Sequence, residues 1–163
     1  MRISAKGEYA IRAMTDLALQ GAGGGGGRDA DRVPIQDVAR RQGIPQRYLE
    51  QVLLLLKRAG FLDSKRGSTG GYRLARPPET ISVGEVLRAV EGRLTPLEVA
   101  GRDPRRGRGG PHGAKDRNGT NDLGELWDAV AAAVATVVDR TTVADLAERA
   151  RARRASTPPM YHI

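Results

Sequence analysis

The 163-residue chain contains no cysteine. That absence excludes disulfides, thiolate-held metal centres and cysteine nucleophiles together. Aromatic residues are scarce, with one Phe, one Trp and four Tyr. Only two histidines occur, His112 and His162, and neither has a second metal ligand at useful spacing. No Ser-His-Asp arrangement can be assembled, so an enzyme is the function class this sequence supports least, and neither a cofactor nor a metal is expected. No apolar run approaches the ~20 residues that span a bilayer. The N-terminus lacks the apolar core of a signal peptide, and the expectation is a cytoplasmic protein without membrane contact.

Charge is present in excess. The formal net charge is +8 and the sequence pI about 10.5. Residues 1–80 carry 14 Lys/Arg against 8 Asp/Glu, whereas residues 81–163 carry 13 against 11. A positive field concentrated on the first half points to a nucleic-acid face; the plainer alternative is a solvated basic surface.

The pattern of apolar residues divides the chain. Tyr9, Ala10, Ala13, Met14, Leu17 and Ala18 recur at three- and four-residue spacing, which predicts a helix from Ala5 to Gln20. It ends in a glycine-rich loop, Gly23–Gly27, with no strand before it and no Gly-Lys-Ser/Thr after it, so a phosphate cradle is excluded. Ile35, Val38 and Ala39 give a short helix that Gly43 terminates. Pro45 suits the first turn of the next helix, which runs to about Arg58 and buries Leu49, Val52, Leu53 and Leu56. Two helices around a glycine turn make a helix-turn-helix pattern.

The stretch "KRGSTGGYRLARPPETIS" follows. Leu62, Ser64 and Arg66 alternate with Asp63 and Lys65, and Tyr72, Arg73 and Leu74 form a second short run, which predicts a β-hairpin. Gly70 and Gly71 are expected to adopt positive φ and to let another backbone approach closely. A hairpin directly after a helix-turn-helix is a wing. Lys65 and Arg66 near its tip suit a narrow, cation-attracting minor groove.

Ser82 and Glu85 fit a capping box that opens a helix containing Val83, Val86, Leu87 and Val90. A Gly-, Pro- and Arg-rich loop is expected near 95–121. Asn121 or Asp122 could then cap a long helix whose apolar face holds Leu123, Leu126, Trp127, Val130, Val134, Val137 and Val138. Thr142 marks a further N-cap before a short helix through Ala150. The long apolar face suits a two-fold dimer through Leu126, Trp127, Val130, Val134 and Val138; packing within its own chain is the alternative. The fold class expected is mainly α with a small β-wing. Residues 1–80 form a winged helix-turn-helix, 81–153 the dimerisation helices and 154–163 a flexible tail.

The segments "MRISAKGEYAIRAMTDLAL", "IQDVARRQGIPQRYLEQVLLLLKRAGFLDSKRGSTGGYRLARPPETISVGEVLRAVEG" and "LWDAVAAAVATVVDRTTVADL" resemble, in order and spacing, the Rrf2 family of bacterial winged-helix transcription regulators. Tyr48-Leu49-Glu50-Gln51 and Gly70-Gly71-Tyr72-Arg73-Leu74 carry the resemblance most specifically. It implies a homodimer that reads a palindromic duplex operator, with the start of the second motif helix in the major groove. Gln46, Arg47, Tyr48, Glu50 and Gln51 are the readers it points to. Their chemistry is apt: Arg can bridge two acceptors on guanine, Gln two groups on adenine, and Glu can accept from cytosine. Arg66 would reach the minor groove with Lys65 beside it, and Lys6 would meet a phosphate.

Many members of that family hold an iron–sulfur cluster on cysteines in the loop corresponding to residues 92–110, which here has none. Glu8 stands where some relatives place an acidic ligand, but one carboxylate cannot replace a set of thiolates. The resemblance therefore leans to the cysteine-free branch that represses cysteine and sulfur-assimilation genes, with cysteine synthase as co-regulator. Met160, Tyr161, His162 and Ile163 resemble the isoleucine-ended tail by which serine acetyltransferase enters that enzyme. A terminus without consequence is the equal alternative. Two further readings stay open: direct sensing of a small ligand or stress signal between the long helices, and architectural, sequence-neutral DNA binding.

Overall fold

A 15-residue helix, α1 (Ala5–Leu19), runs through the centre of the molecule and packs against four other helices and one strand. The computed structural model describes residues 3–21, 32–67, 70–92 and 121–156, with side chains from 126 onward in the last span. Ser4 caps α1, its hydroxyl oxygen accepting from the backbone N–H groups of Lys6 and Gly7 at 3.2 and 3.4 Å. Ala10, Ala13, Met14 and Leu17 are fully buried, as their spacing predicts.

Helix α2 (Ile35–Gln42) ends at Gly43, which takes the left-handed conformation (φ 60°) that turns the chain into α3 (Gln46–Arg58). Pro45 is the N-cap of α3 and lies just outside the helix, one step earlier than its expected place in the first turn. The four expected core residues of α3, Leu49, Val52, Leu53 and Leu56, are all buried.

Strands β1 (Leu62–Lys65) and β2 (Gly71–Leu74) pair antiparallel, with Leu62 opposite Leu74 and Lys65 opposite Gly71. The hairpin has an additional rung. Val33 and Tyr72 exchange both backbone hydrogen bonds at 2.9 Å, which ties the wing to the segment entering α2. Periodicity could not reveal this rung, because a single bridge has no repeat. A 3-10 turn at Pro78–Thr80 leads into α4 (Val83–Glu91).

Helix α5 (Asn121–Arg140) begins at Asn121, so the residues expected to cap it already lie within it. Helix α6 (Val143–Ala155) extends five residues beyond the expected end at Ala150 and takes in the first two residues of the expected tail. The surplus, Arg151 to Ala155, is arginine and alanine, both strong helix formers, and carries no apolar periodicity to announce it. Capping boxes open both α4 (Ser82 with Glu85) and α6 (Thr142 with Asp145). A bridge joins Ser82 to Thr142, so the two helices start side by side. The expected loops at Gly23–Gly27 and 95–120 lie outside the described residues. The architecture is mainly helical with a two-stranded antiparallel wing, as expected.

Among the described residues, one acidic side chain lies in the core. Asp16 is completely buried on α1. Arg41 of α2 grips it through Nη2, which donates to Oδ2 at 2.6 Å, and through Nε, shared between Oδ1 at 3.0 Å and Oδ2 at 3.2 Å. The Gln42 side-chain amide donates to Oδ1 at 3.0 Å. The hydrogen bond to Asp16 holds the Arg41 guanidinium above its ordinary pKa. Removing one member of a buried pair strands the other in a low-dielectric interior. Arg41→Ala is therefore expected to destabilise the fold by about 3–5 kcal/mol, read from denaturant unfolding.

Three carboxylates have pKa values below their ordinary range. Glu85 is lowered chiefly by the Ser82 backbone N–H, Asp145 by the Thr142 backbone N–H, and Asp139 by its hydrogen bonds to Arg88. Each contributes stability that is fully present above the unfolded carboxylate range and is lost as pH falls through the folded value. The melting temperature should therefore drop as the solution is acidified below about pH 4. Glu85→Gln should flatten that dependence; an unchanged slope would remove Glu85 from the account.

Candidate nucleic-acid interface

Because α3 buries positions 49, 52, 53 and 56, helical geometry turns 46, 47, 48, 50, 51 and 54 to solvent. Gln46, Arg47, Tyr48, Glu50 and Gln51 are all exposed, Tyr48 by 60%. Gln46 Nε2 donates to Glu50 Oε1 at 3.0 Å, which orders both side chains at the start of the helix. Leu54 continues the same face and is 46% exposed, an apolar side chain able to meet a thymine methyl.

Two grooves flank this face. One, of about 600 Å³, lies between the start of α1 and α3; Lys6, Tyr9, Tyr48 and Gln51 line it. Lys6 is thereby brought beside two of the sequence-nominated readers. The other, of about 530 Å³, lies between the wing, the start of α2 and the end of α3. Lys57, Lys65 and Arg66 line it together with Gln36 and Tyr72. Lys57 Nζ donates to Ser64 Oγ at 2.7 Å and so joins α3 to β1. Burial raises the Tyr72 pKa, with the nearby Glu50 charge adding to the effect.

Sequence reasoning missed Lys57, Gln36 and Tyr72. For Lys57 the signal was available: it continues the outward stripe 47, 50, 54 at helical spacing. Gln36 and Tyr72 join the groove only through the Val33–Tyr72 rung.

The wing glycines divide the expected roles. Gly71 has positive φ (156°), and a Cβ there would stand 2.5 Å from the Val33 carbonyl oxygen. Gly70 does not adopt positive φ; its requirement is the close approach alone, since a Cβ would meet the Lys65 carbonyl oxygen at 2.3 Å. Gly67, at the other side of the tip, also has positive φ (107°).

On α5, Leu126, Trp127 and Val130 are 52%, 47% and 41% exposed. Val134 and Val138 are half-buried, and Val137 is the most exposed at 65%. The helix is seated on α4 by Arg88, which grips Asp139 with bonds of 2.6 and 2.9 Å. Glu8 pairs with Arg12 one turn along α1 at 3.3 Å. Met160, Tyr161, His162 and Ile163, like His112, lie outside the described residues. No helix among the described residues is long and apolar enough to cross a membrane.

The sequence profile of Rrf2, described as an iron-dependent transcriptional regulator, matches residues 3–149. The chain belongs to the Rrf2 family. It is 34% identical to the HTH-type transcriptional regulator IscR of Cereibacter sphaeroides, over all of this chain and 97% of that one. Among solved structures it is similar to CymR, the global cysteine regulator of B. subtilis, at 32% identity and a TM-score of 0.70, over 91% of this chain and 98% of that one. T. potens IscR gives 31% identity and a TM-score of 0.68, over 99% and 97%. This is a family of DNA-binding transcription regulators, not of enzymes.

The iron in the family's description has no fitting donor set here. The chain has no thiolate to offer an iron–sulfur cluster. Among the described residues no group of three or more His, Asp or Glu side chains could hold a metal ion either.

The two kinds of contact on an Rrf2 reading face should separate in binding experiments. Arg47→Ala is expected to cost about 1–3 kcal/mol and to relax preference at one base position. Arg66→Ala should weaken binding to every sequence alike and lower the salt slope by about 1. Titrations of both variants at several salt concentrations check this.

Proposed function

We propose that the chain is a homodimeric, cluster-free repressor that reads a palindromic operator. Gln46, Arg47, Tyr48, Glu50 and Gln51 contact bases, while Lys6, Lys57, Lys65 and Arg66 contact phosphates and the minor groove. The observation that carries this reading is the exposed polar face of α3 between two grooves, one holding Lys6 and the other Lys57, Lys65 and Arg66. Phosphate contacts fix register and base contacts supply sequence, and both kinds of side chain lie side by side here. The apolar ridge of Leu126, Trp127, Val130 and Val137 supports dimerisation through α5, because a monomer would leave it in water. Two readers related by a two-fold axis then engage half-sites one helical turn apart, roughly 34 Å.

For the regulon we propose cysteine and sulfur metabolism, with cysteine synthase as co-regulator. The support is the cysteine-free chain and its likeness to a solved global cysteine regulator. A second reading, direct sensing of a small ligand, is favoured by a cleft between α1 and α6.

Selection from a random DNA pool tests the reading. The expected product is a two-fold symmetric consensus, bound equally well with chelator or peroxide present. A pool that never enriches one sequence would overturn operator recognition; affinity lost on chelation would overturn the cluster-free claim.

A further inference from the structure

Helices α1 and α6 pack along each other, and Arg151 of α6 reaches the Ala18 carbonyl at 3.3 Å. Beside that contact they leave a cleft of about 320 Å³, within the range of small-metabolite sites. Its floor is apolar, with Ile11 and Leu19 from α1 and Leu146 from α6. Arg12, Arg153 and Arg154 also line it, Arg12 being paired with Glu8 at 3.3 Å, and no carboxylate among the described residues lines the cleft itself. An apolar floor under three guanidinium groups matches one ligand chemistry: a small organic anion with a hydrocarbon body.

Arg12 also belongs to a second network. Its Nη2 donates to the Gln42 backbone carbonyl and its Nε to Gln42 Oε1 at 3.5 Å. Gln42 is the last residue of α2, next to the Gly43 turn, and its amide holds the buried Asp16 at 3.0 Å. One guanidinium therefore faces the cleft and braces the helix-turn-helix. An anion that draws Arg12 toward the rim takes that brace from Gln42.

The geometry points to this cleft as an effector site for small amphipathic carboxylates, whose occupancy loosens the end of α2 and lowers affinity for DNA. The inference rests on the reading of the chain as an operator-binding regulator. It locates sensing between α1 and α6, not between the long helices.

The test uses the full chain with its selected DNA sequence and three probes: hexanoate, inorganic phosphate and hexanol. Hexanoate is expected to shift the amide resonances around Ile11, Leu19 and Leu146 saturably at millimolar concentration. It should weaken DNA binding at least about fivefold, and DNA should weaken hexanoate binding by the same factor. Arg153→Ala with Arg154→Ala should abolish the hexanoate response while DNA affinity without ligand stays as in the parent. Arg12→Lys should keep hexanoate binding and lose its effect on DNA.

Absence of saturable shifts overturns the site. Equal responses to phosphate or to hexanol overturn the ligand class. Hexanoate binding that leaves DNA affinity unchanged overturns the coupling. Each of these failures is seen with DNA binding intact, so none can be mistaken for failure of the regulator reading.

Discussion

The structure depends on one buried charge. Asp16 sits in the last turn of the most central helix, on the same buried side as Ala13 and Leu17, and it is fully removed from solvent. A carboxylate in that position is tolerable only when paired and hydrogen-bonded. Arg41 and Gln42 supply the pairing from the last turn of α2. Neither can do so unless α2 lies in one register against α1. Because Gly43 and Pro45 follow directly, that register also sets the direction in which α3 leaves the turn. Swapping such a pair for apolar residues of similar volume is often neutral for stability, so its value here lies in orientation.

Orientation passes outward through a few further ties. The Val33–Tyr72 rung carries the position of α2 into the wing, and Lys57 with Ser64 carries that of α3. The proposed reading face is thus three elements fixed to one another and to α1. The bridge between Ser82 and Thr142 fixes α6 beside α4 and against α1 from another side. A helix touched by both the reader and α6 is well placed to relay a signal between them.

Much of this was legible in the sequence, and the limits of legibility have physical causes. The helices announced themselves through apolar spacing, and Leu49, Val52, Leu53 and Leu56 are buried as a set because α3 is strongly amphipathic. The capping box at Ser82 and the N-cap at Thr142 are short-range chemistry and read directly; that Thr142 also closes a capping box with Asp145 was seen only in the structure. The polar start of α3 was legible as what remained outside the buried stripe. Asp16 was not: a single acid inside an apolar face looks like an exposed interruption until its partner on another helix is known. At the wing tip the expectation held for Gly71 and in part for Gly70, because positive φ and close approach are different demands that both select glycine, and Gly70 meets only the second. On α5 the ridge turned by part of a turn, leaving Val137 outward and Val134 and Val138 half-buried, because α4 takes up part of the apolar face.

The claim that Asp16 sets the position of the reader can be tested by amide hydrogen exchange on the Asp16→Asn variant, which keeps the side-chain shape and removes the charge. The account predicts that protection falls in α2, through the turn at Gly43 and into the first turn of α3, while amides of α4 and α6 exchange as in the parent protein. Unaltered protection across α2, or a loss spread evenly over all helices, would contradict it.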